Sequence, residues 1–193
     1  MDRPDLLVSL SNHETGRRTV PVIVTERLVL RAHTQDDFPA CSALWADPEV
    51  TRFIGGRPST AEATWNRILA YAGHWQVKGY GYFLATELGT GELVGEFGLA
   101  DFRRDIAPPF GDTPEAGWVM LPKYQGRGLA HEALSAVLAW ADQSMPRSAC
   151  MISPDNTPSL KLATKLGYTE YAQTTYKDAP VILLARVADT SGT

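Results

Sequence analysis

The residues with the plainest chemical purpose are Gln125-Gly126-Arg127-Gly128-Leu129-Ala130, where a strand-like stretch gives way to a long amphipathic one. The first turn of a helix carries N–H groups that have no partner inside the helix. The helix dipole adds partial positive charge at the same place. Glycines just ahead of that turn let the backbone approach a bound group closely, so the joint is an anion site suited to a pyrophosphate. Two other phosphate loops do not fit. The dinucleotide fingerprint G-x-G-x-x-G needs glycine where His131 stands, and an acidic residue about 20 positions on to end a second strand. Asp142 falls inside the helix instead. A nucleotide P-loop needs Gly-Lys-Ser/Thr, which is absent. An isolated Gly-x-Gly is most often an ordinary turn, so the surroundings decide.

Those surroundings are strands and helices in a definite order. Val22 to Arg31 reads as one strand, with Leu28 and Leu30 alternating with Val29 and Arg31. Asp36 and Asp37 open a helix that runs to 46 and stops at the turn signal Asp47-Pro48. Ser59 or Thr60 caps a second helix, 60–78, in which Trp65, Ile68, Leu69, Ala72 and Trp75 recur at helical spacing. Tyr80–Leu88 and Glu92–Ala100 form a hairpin about Gly89-Thr90-Gly91. A polar loop, Asp101 to Pro114, leads to a strand over Glu115–Leu121. After the glycine joint come a long helix with Ala130, Leu134, Val137, Leu138 and Ala141 on one face, a strand over Ser148–Ile152, a helix over Asn156–Leu166, and strands near Tyr168–Tyr176 and Val181–Val187. The order predicts a layered α/β (α+β) protein with a mixed sheet. Its organisation is an N-terminal arm (1–21), a single domain (22–188) and a short tail (189–193).

Bulk composition narrows the function. A chain of 193 residues, 44% hydrophobic and 21% charged, suits one globular domain with its own core. The net charge of −4, with no Lys/Arg run, argues against nucleic acid and slightly favours a cationic substrate. No apolar run approaches the ~20 residues a spanning helix needs, and the N-terminus makes a poor signal peptide. Cys41 and Cys150 are read as buried thiols in a reducing compartment, hence a cytoplasmic protein without a membrane partner. His13, His33, His74 and His131 show no ligand spacing and are read as surface or loop residues, so no metal is expected.

Five motifs in order resemble the GNAT N-acetyltransferase superfamily, in the form of its RimJ/RimL-type branch. Gln125-x-x-Gly128-x-Ala130 resembles its cofactor loop. Thr25 to Arg31, Leu93 to Leu99, Glu115-Ala116-Gly117-Trp118, and Asn156-Thr157-Pro158-Ser159 with Lys165 to Tyr168 resemble its other motifs. The resemblance covers roughly residues 22 to 187. It implies a twisted, mostly antiparallel sheet of six to seven strands, splayed between the fourth and fifth, with about four helices.

The same resemblance assigns roles. The pantetheine arm of acetyl-CoA would pair with the backbone of Trp118, Val119 and Met120, with an oxyanion donor near Val119 or Met120. The pyrophosphate would lie on N–H groups from Gln125 or Gly126 through Arg127, Gly128, Leu129 and Ala130 to His131. Asn156 would contact pantetheine, and equally caps a helix. Glu115 is the candidate base and Glu96 the second choice. Ser159 matches a proposed proton donor, although a hydroxyl is a better hydrogen-bond partner for sulfur than an acid. The family's usual tyrosine, seven residues after the asparagine, is Ala163 here; Tyr168, Tyr171 or Tyr176 would replace it only if aimed at the sulfur. The implied acceptor is a small-molecule amine or a peptide or protein N-terminus, and dimers are common in the branch. Two rivals are a non-catalytic acyl-CoA-binding module and a nucleotide-binding protein.

Overall fold

A computed structural model describes residues 18–188; most of the N-terminal arm and the tail at 189–193 lie outside them. The expected opening strand is two strands, β1 (Ile23–Val24) and β2 (Leu28–Arg31), paired antiparallel with Ile23 opposite Leu30. The break comes from Thr25. Its N–H donates to the Leu28 carbonyl (2.9 Å), and its hydroxyl accepts from the Leu28 N–H (3.0 Å).

A 3-10 turn at Gln35–Asp37 leads into α1 (Phe38–Ala46). Asp47-Pro48, read as a turn, starts a further short helix, α2 (Pro48–Thr51). The Asp47 carboxylate accepts from the Glu49 N–H (2.8 Å), and proline suits a first helical turn. Thr60 caps α3 (Ala61–Lys78), which closes at Gly79. Then follow β3 (Tyr82–Glu87), β4 (Leu93–Ala100), β5 (Glu115–Met120), α4 (Leu129–Ala141), β6 (Arg147–Ile152), α5 (Thr157–Lys165), β7 (Thr169–Tyr176) and β8 (Ala179–Val187).

The eight strands form one sheet in the order β1-β2-β3-β4-β5-β6-β8-β7. Every neighbouring pair is antiparallel except β5 and β6. Among the described residues this makes eight strands and five α-helices, against six to seven and about four expected. Among the described residues no helix is long and apolar enough to cross a membrane, and both cysteines are free and buried.

Side-chain alternation divides the sheet into two faces. Phe83, Ala85 and Phe97 point toward α4, where Leu129, Ala133, Leu134 and Val137 are at most 1% exposed. Burying each of the larger of these contributes about 1.5–3 kcal/mol, so packing rather than any surface ion pair holds α4 in place. The opposite face carries Leu84, Glu96, Val119 and Glu115. There α1 and α3 cover it, with Cys41 and Ile68 packed on Leu84 and Trp45 packed on Val119.

Candidate active site

The glycine joint folds as its residues demand. Gly128 sits at φ +79 as the cap of α4, and Gly126 at φ +74, backbone geometry that side-chain-bearing residues adopt only with strain. The first bond within the helix runs from the Glu132 N–H to the Gly128 carbonyl (3.1 Å). The N–H groups of Leu129, Ala130 and His131 are therefore left without a partner inside the helix. Glu132, in the same turn, would repel an anion. Its carboxylate is instead engaged by the Thr25 hydroxyl (2.6 Å) and by Arg27 (2.6 Å). Arg27 also donates to the Arg127 carbonyl (2.9 Å), tying the loop to the β1–β2 turn. Arg27 is a residue the sequence motif contains but gives no role. The Arg127 guanidinium pairs with Glu87 (3.0 Å) at the surface.

The sheet opens next to this joint. β5 and β6 pair only at Glu115 opposite Ala149. The Ala149 N–H donates to the Pro114 carbonyl (3.0 Å), so even-numbered residues of β5 turn their backbone groups toward β6. The Leu121 N–H donates to Val94 on β4 (3.0 Å), so odd-numbered residues turn the other way. Beyond the one pair, the amides of Trp118 and Met120 face the opening. Val119, grouped with them on sequence, directs its amide to β4. The splay expected between a fourth and fifth strand is this one, renumbered because the first strand is split.

Glu115 stands at the vertex of the opening, 6% exposed. Arg104 grips it through two donors, Nε to Oε2 and Nη2 to Oε1 (the latter 2.8 Å). Burial pushes the Glu115 carboxyl up, and the hydrogen bonds and charge of Arg104 only partly pull it back. Burial of Arg104 acts against its own charge, but Glu115 outweighs that and holds it protonated. Arg104 also donates to the Tyr176 hydroxyl (3.2 Å). A cavity of about 190 Å³ lies against this cluster, lined by Phe102, Arg103, Arg104, Phe110, Thr113 and Glu115. The polar loop between β4 and β5 thus borders a cavity at the vertex.

Asn156 caps α5, its Oδ1 accepting from the Ser159 N–H (3.2 Å). Replacing Asn156 with alanine should cost ~1 kcal/mol, lowering Tm by roughly 2–4 °C in a chain of this size, as a melting curve would show. The Ser159 hydroxyl accepts from the Trp118 indole N–H (3.1 Å), linking α5 to the edge of the opening. Ala163 is fully buried in the core beneath α5. Tyr168 is buried with its hydroxyl 2.6 Å from that of Ser148, Tyr171 lies half-exposed on the edge strand β7, and Tyr176 is engaged by Arg104.

Glu96 is fully enclosed and accepts from the Trp45 indole N–H (3.0 Å). His33, expected at the surface, has a side chain only 1% exposed, with Nε2 3.3 Å from Glu96 Oε1. Neither His33 nitrogen nor Glu96 Oε1 has a well-formed hydrogen bond. With Cys41 Sγ they form a group of metal-ligand types, all within 4.8 Å. Three separate segments contribute it, so spacing along the chain could not announce it. Trp45 and Trp75 are core residues, while Trp65 lines an open groove with Phe38.

The sheet thus parts at its one parallel pair, with amides turned into the opening and a helix N-terminus at its end. The acetyltransferase (GNAT) domain model matches residues 27–169, and the chain belongs to that family of acetyltransferases. The N-acetyltransferase YoaA of Bacillus subtilis is 28% identical over 154 residues, covering 77% of this chain and 82% of YoaA. A GNAT-family acetyltransferase from Bordetella pertussis superposes with a TM-score of 0.77 at 34% identity, over 86% of this chain and 99% of that one. RimL, a ribosomal L7/L12 alpha-N-protein acetyltransferase solved with coenzyme A, shares the fold at a TM-score of 0.71 and 19% identity, over 88% and 99% of the two chains.

Proposed function

We propose that this chain moves an acetyl group from acetyl-CoA to a primary amine by direct attack. The observation that carries the reading is the opening between β5 and β6, into which the Trp118 and Met120 amides point and which ends at the N-terminus of α4. A pantetheine arm carries amides that match those groups, and its diphosphate matches the unpaired N–H groups of Leu129, Ala130 and His131, with Gln125, Gly126, Arg127 and Gly128 around them. Asn156 and Ser159 border the far side. The amine loses its proton to Glu115, with Glu96 as the second carboxylate. Its nitrogen bonds to the thioester carbon while the carbonyl electrons move to oxygen. The collapse of that oxyanion breaks the C–S bond, and the thiolate takes up a proton.

The cavity beside Glu115 is the acceptor side in this reading. A protein N-terminus, the acceptor class named for RimL, and a small-molecule amine both present the required nitrogen. A cytoplasmic homodimer of RimJ/RimL type belongs to the same reading.

The test is thiol release from acetyl-CoA against peptide N-termini, amino acids, polyamines and aminoglycosides, alongside thermal shift with coenzyme A and with ATP. Release with one amine class, and stabilisation by coenzyme A but not ATP, is the expected result. No response to coenzyme A would overturn the assignment of the joint.

A further inference from the structure

Ala163 leaves this chain without a tyrosine on α5, yet on the opposite face of the sheet another tyrosine hydroxyl lies over Gly117, two residues from the vertex. Gly98 on β4 and Gly117 on β5 are cross-strand partners, and Tyr82 on β3 is the partner of Gly98. The two glycines leave a lane bare of side chains, and Tyr82 fills it. A carbon added at Gly98 would lie 2.4 Å from the Tyr82 Cα, and one added at Gly117 would lie 1.9 Å from its hydroxyl. The hydroxyl therefore rests directly over Gly117. That residue lies between Ala116, at the closed end of the β5–β6 opening, and Trp118, whose amide points into it.

The side chain is held for this position. Its ring stacks on Tyr71 at 4.4 Å between centroids, with 5° between planes. Tyr71 is in turn packed against His33 (5.0 Å). Among the described residues the Tyr82 hydroxyl forms no hydrogen bond, although the residue is only 7% exposed. A hydroxyl without a protein partner is available to donate to a bound group. Glu115 and Glu96 lie on the same face on either side of the lane.

We propose that the Tyr82 hydroxyl donates a hydrogen bond to the oxyanion formed when the amine attacks the thioester. This inference rests on the acetyl-transfer reading above. Burial, and then the charge of Glu115, push the Tyr82 hydroxyl well up, so it keeps its proton at every working pH. Such a group is a poor proton donor to a leaving thiolate but a sound neutral hydrogen-bond donor. A fixed donor aimed where charge develops, in a site shielded from water, acts on the transition state more than on the bound substrate.

The experiment is Tyr82→Phe in the full chain, which keeps the stacked ring and removes only the hydroxyl. With an amine that the wild type acetylates, kcat should fall about 10²-fold, the scale for loss of one oxyanion donor. KM for acetyl-CoA, the affinity for coenzyme A and Tm should stay at wild-type values, a split that a merely structural tyrosine would not produce. A kcat within about threefold of wild type would overturn the role of Tyr82 and leave the acetyl-transfer reading standing. A wild-type chain that turns over no amine would instead remove the reading, and the inference with it.

Discussion

Glu115→Gln should lower kcat by roughly 10²–10⁴, the range in which a positioned acid–base group acts, while the affinity for coenzyme A barely changes. The two outcomes separate because the carboxylate and the amides that face the opening lie at different points of β5. Glu115 stands at the vertex, and Trp118 and Met120 lie beyond it along the opening. Glutamine keeps the shape and one accepting oxygen for Arg104, so most of the buried contact survives. The pH profile is the sharper readout. The wild-type rate should fall with acid as Glu115 takes up its proton, at a pH above the ordinary carboxylate range because burial raises its pKa. The variant should lose that acid limb. A variant with wild-type kcat and an unchanged profile would exclude Glu115 and turn attention to Glu96.

Arg104→Leu addresses the same cluster through stability. The pair is enclosed, with 21% of the Arg104 side chain and 8% of the Glu115 side chain exposed. Removing one partner of such a pair leaves the other buried and uncompensated, which typically costs 3–5 kcal/mol. The sign of the pH dependence follows from the direction of the shift. A carboxyl whose folded pKa is raised favours folding most when it is protonated, and that favour is lost as pH rises through the folded value. Without Arg104 only the upward push of burial remains. The variant should then be close to wild type in acid and fall progressively below it between the ordinary carboxylate range and neutral pH. Urea denaturation at pH 4.5 and pH 7.5 measures both points. An equal deficit at both would mean that the loss comes from packing rather than from the charge.

These two residues also mark where the sequence stops being readable. The joint at Gln125 to Ala130 was legible because its chemistry is local: glycines, a helix start and unpaired amides follow one another along the chain. Glu115 is singled out in the sequence only through the motif around it. Its partners are not, since Arg104 lies 11 residues earlier in a loop and Tyr176 lies 72 residues from Arg104. Period-two alternation told which side chains share a face, but not which neighbour each amide addresses. That parity separates Val119 from Trp118 and Met120, and it emerges only from the ladders. The same holds for His33, Cys41 and Glu96, which the fold gathers from a loop, a helix and a strand. The extra strand and α2 were missed for a smaller reason. Thr25 breaks a strand through its own hydrogen bonds, and Asp47-Pro48 is as good a helix start as a turn.

The single parallel pair has a consequence for how the chain assembles. On one side of it lie β1 to β5, all before residue 121; on the other lie β6 to β8, all after 146. Each group closes its own antiparallel ladders, and across the seam only Glu115 meets Ala149. α4 spans both groups, its first turns packed on Phe83 and Phe97 and its last, through Leu138 and Ala141, on Cys150 and Leu184. Folding can therefore proceed as the closing of two units, each continuous in sequence, followed by their docking along one helix. In kinetic terms α4 is the clasp, and the slot at the vertex takes its width only when the clasp is shut.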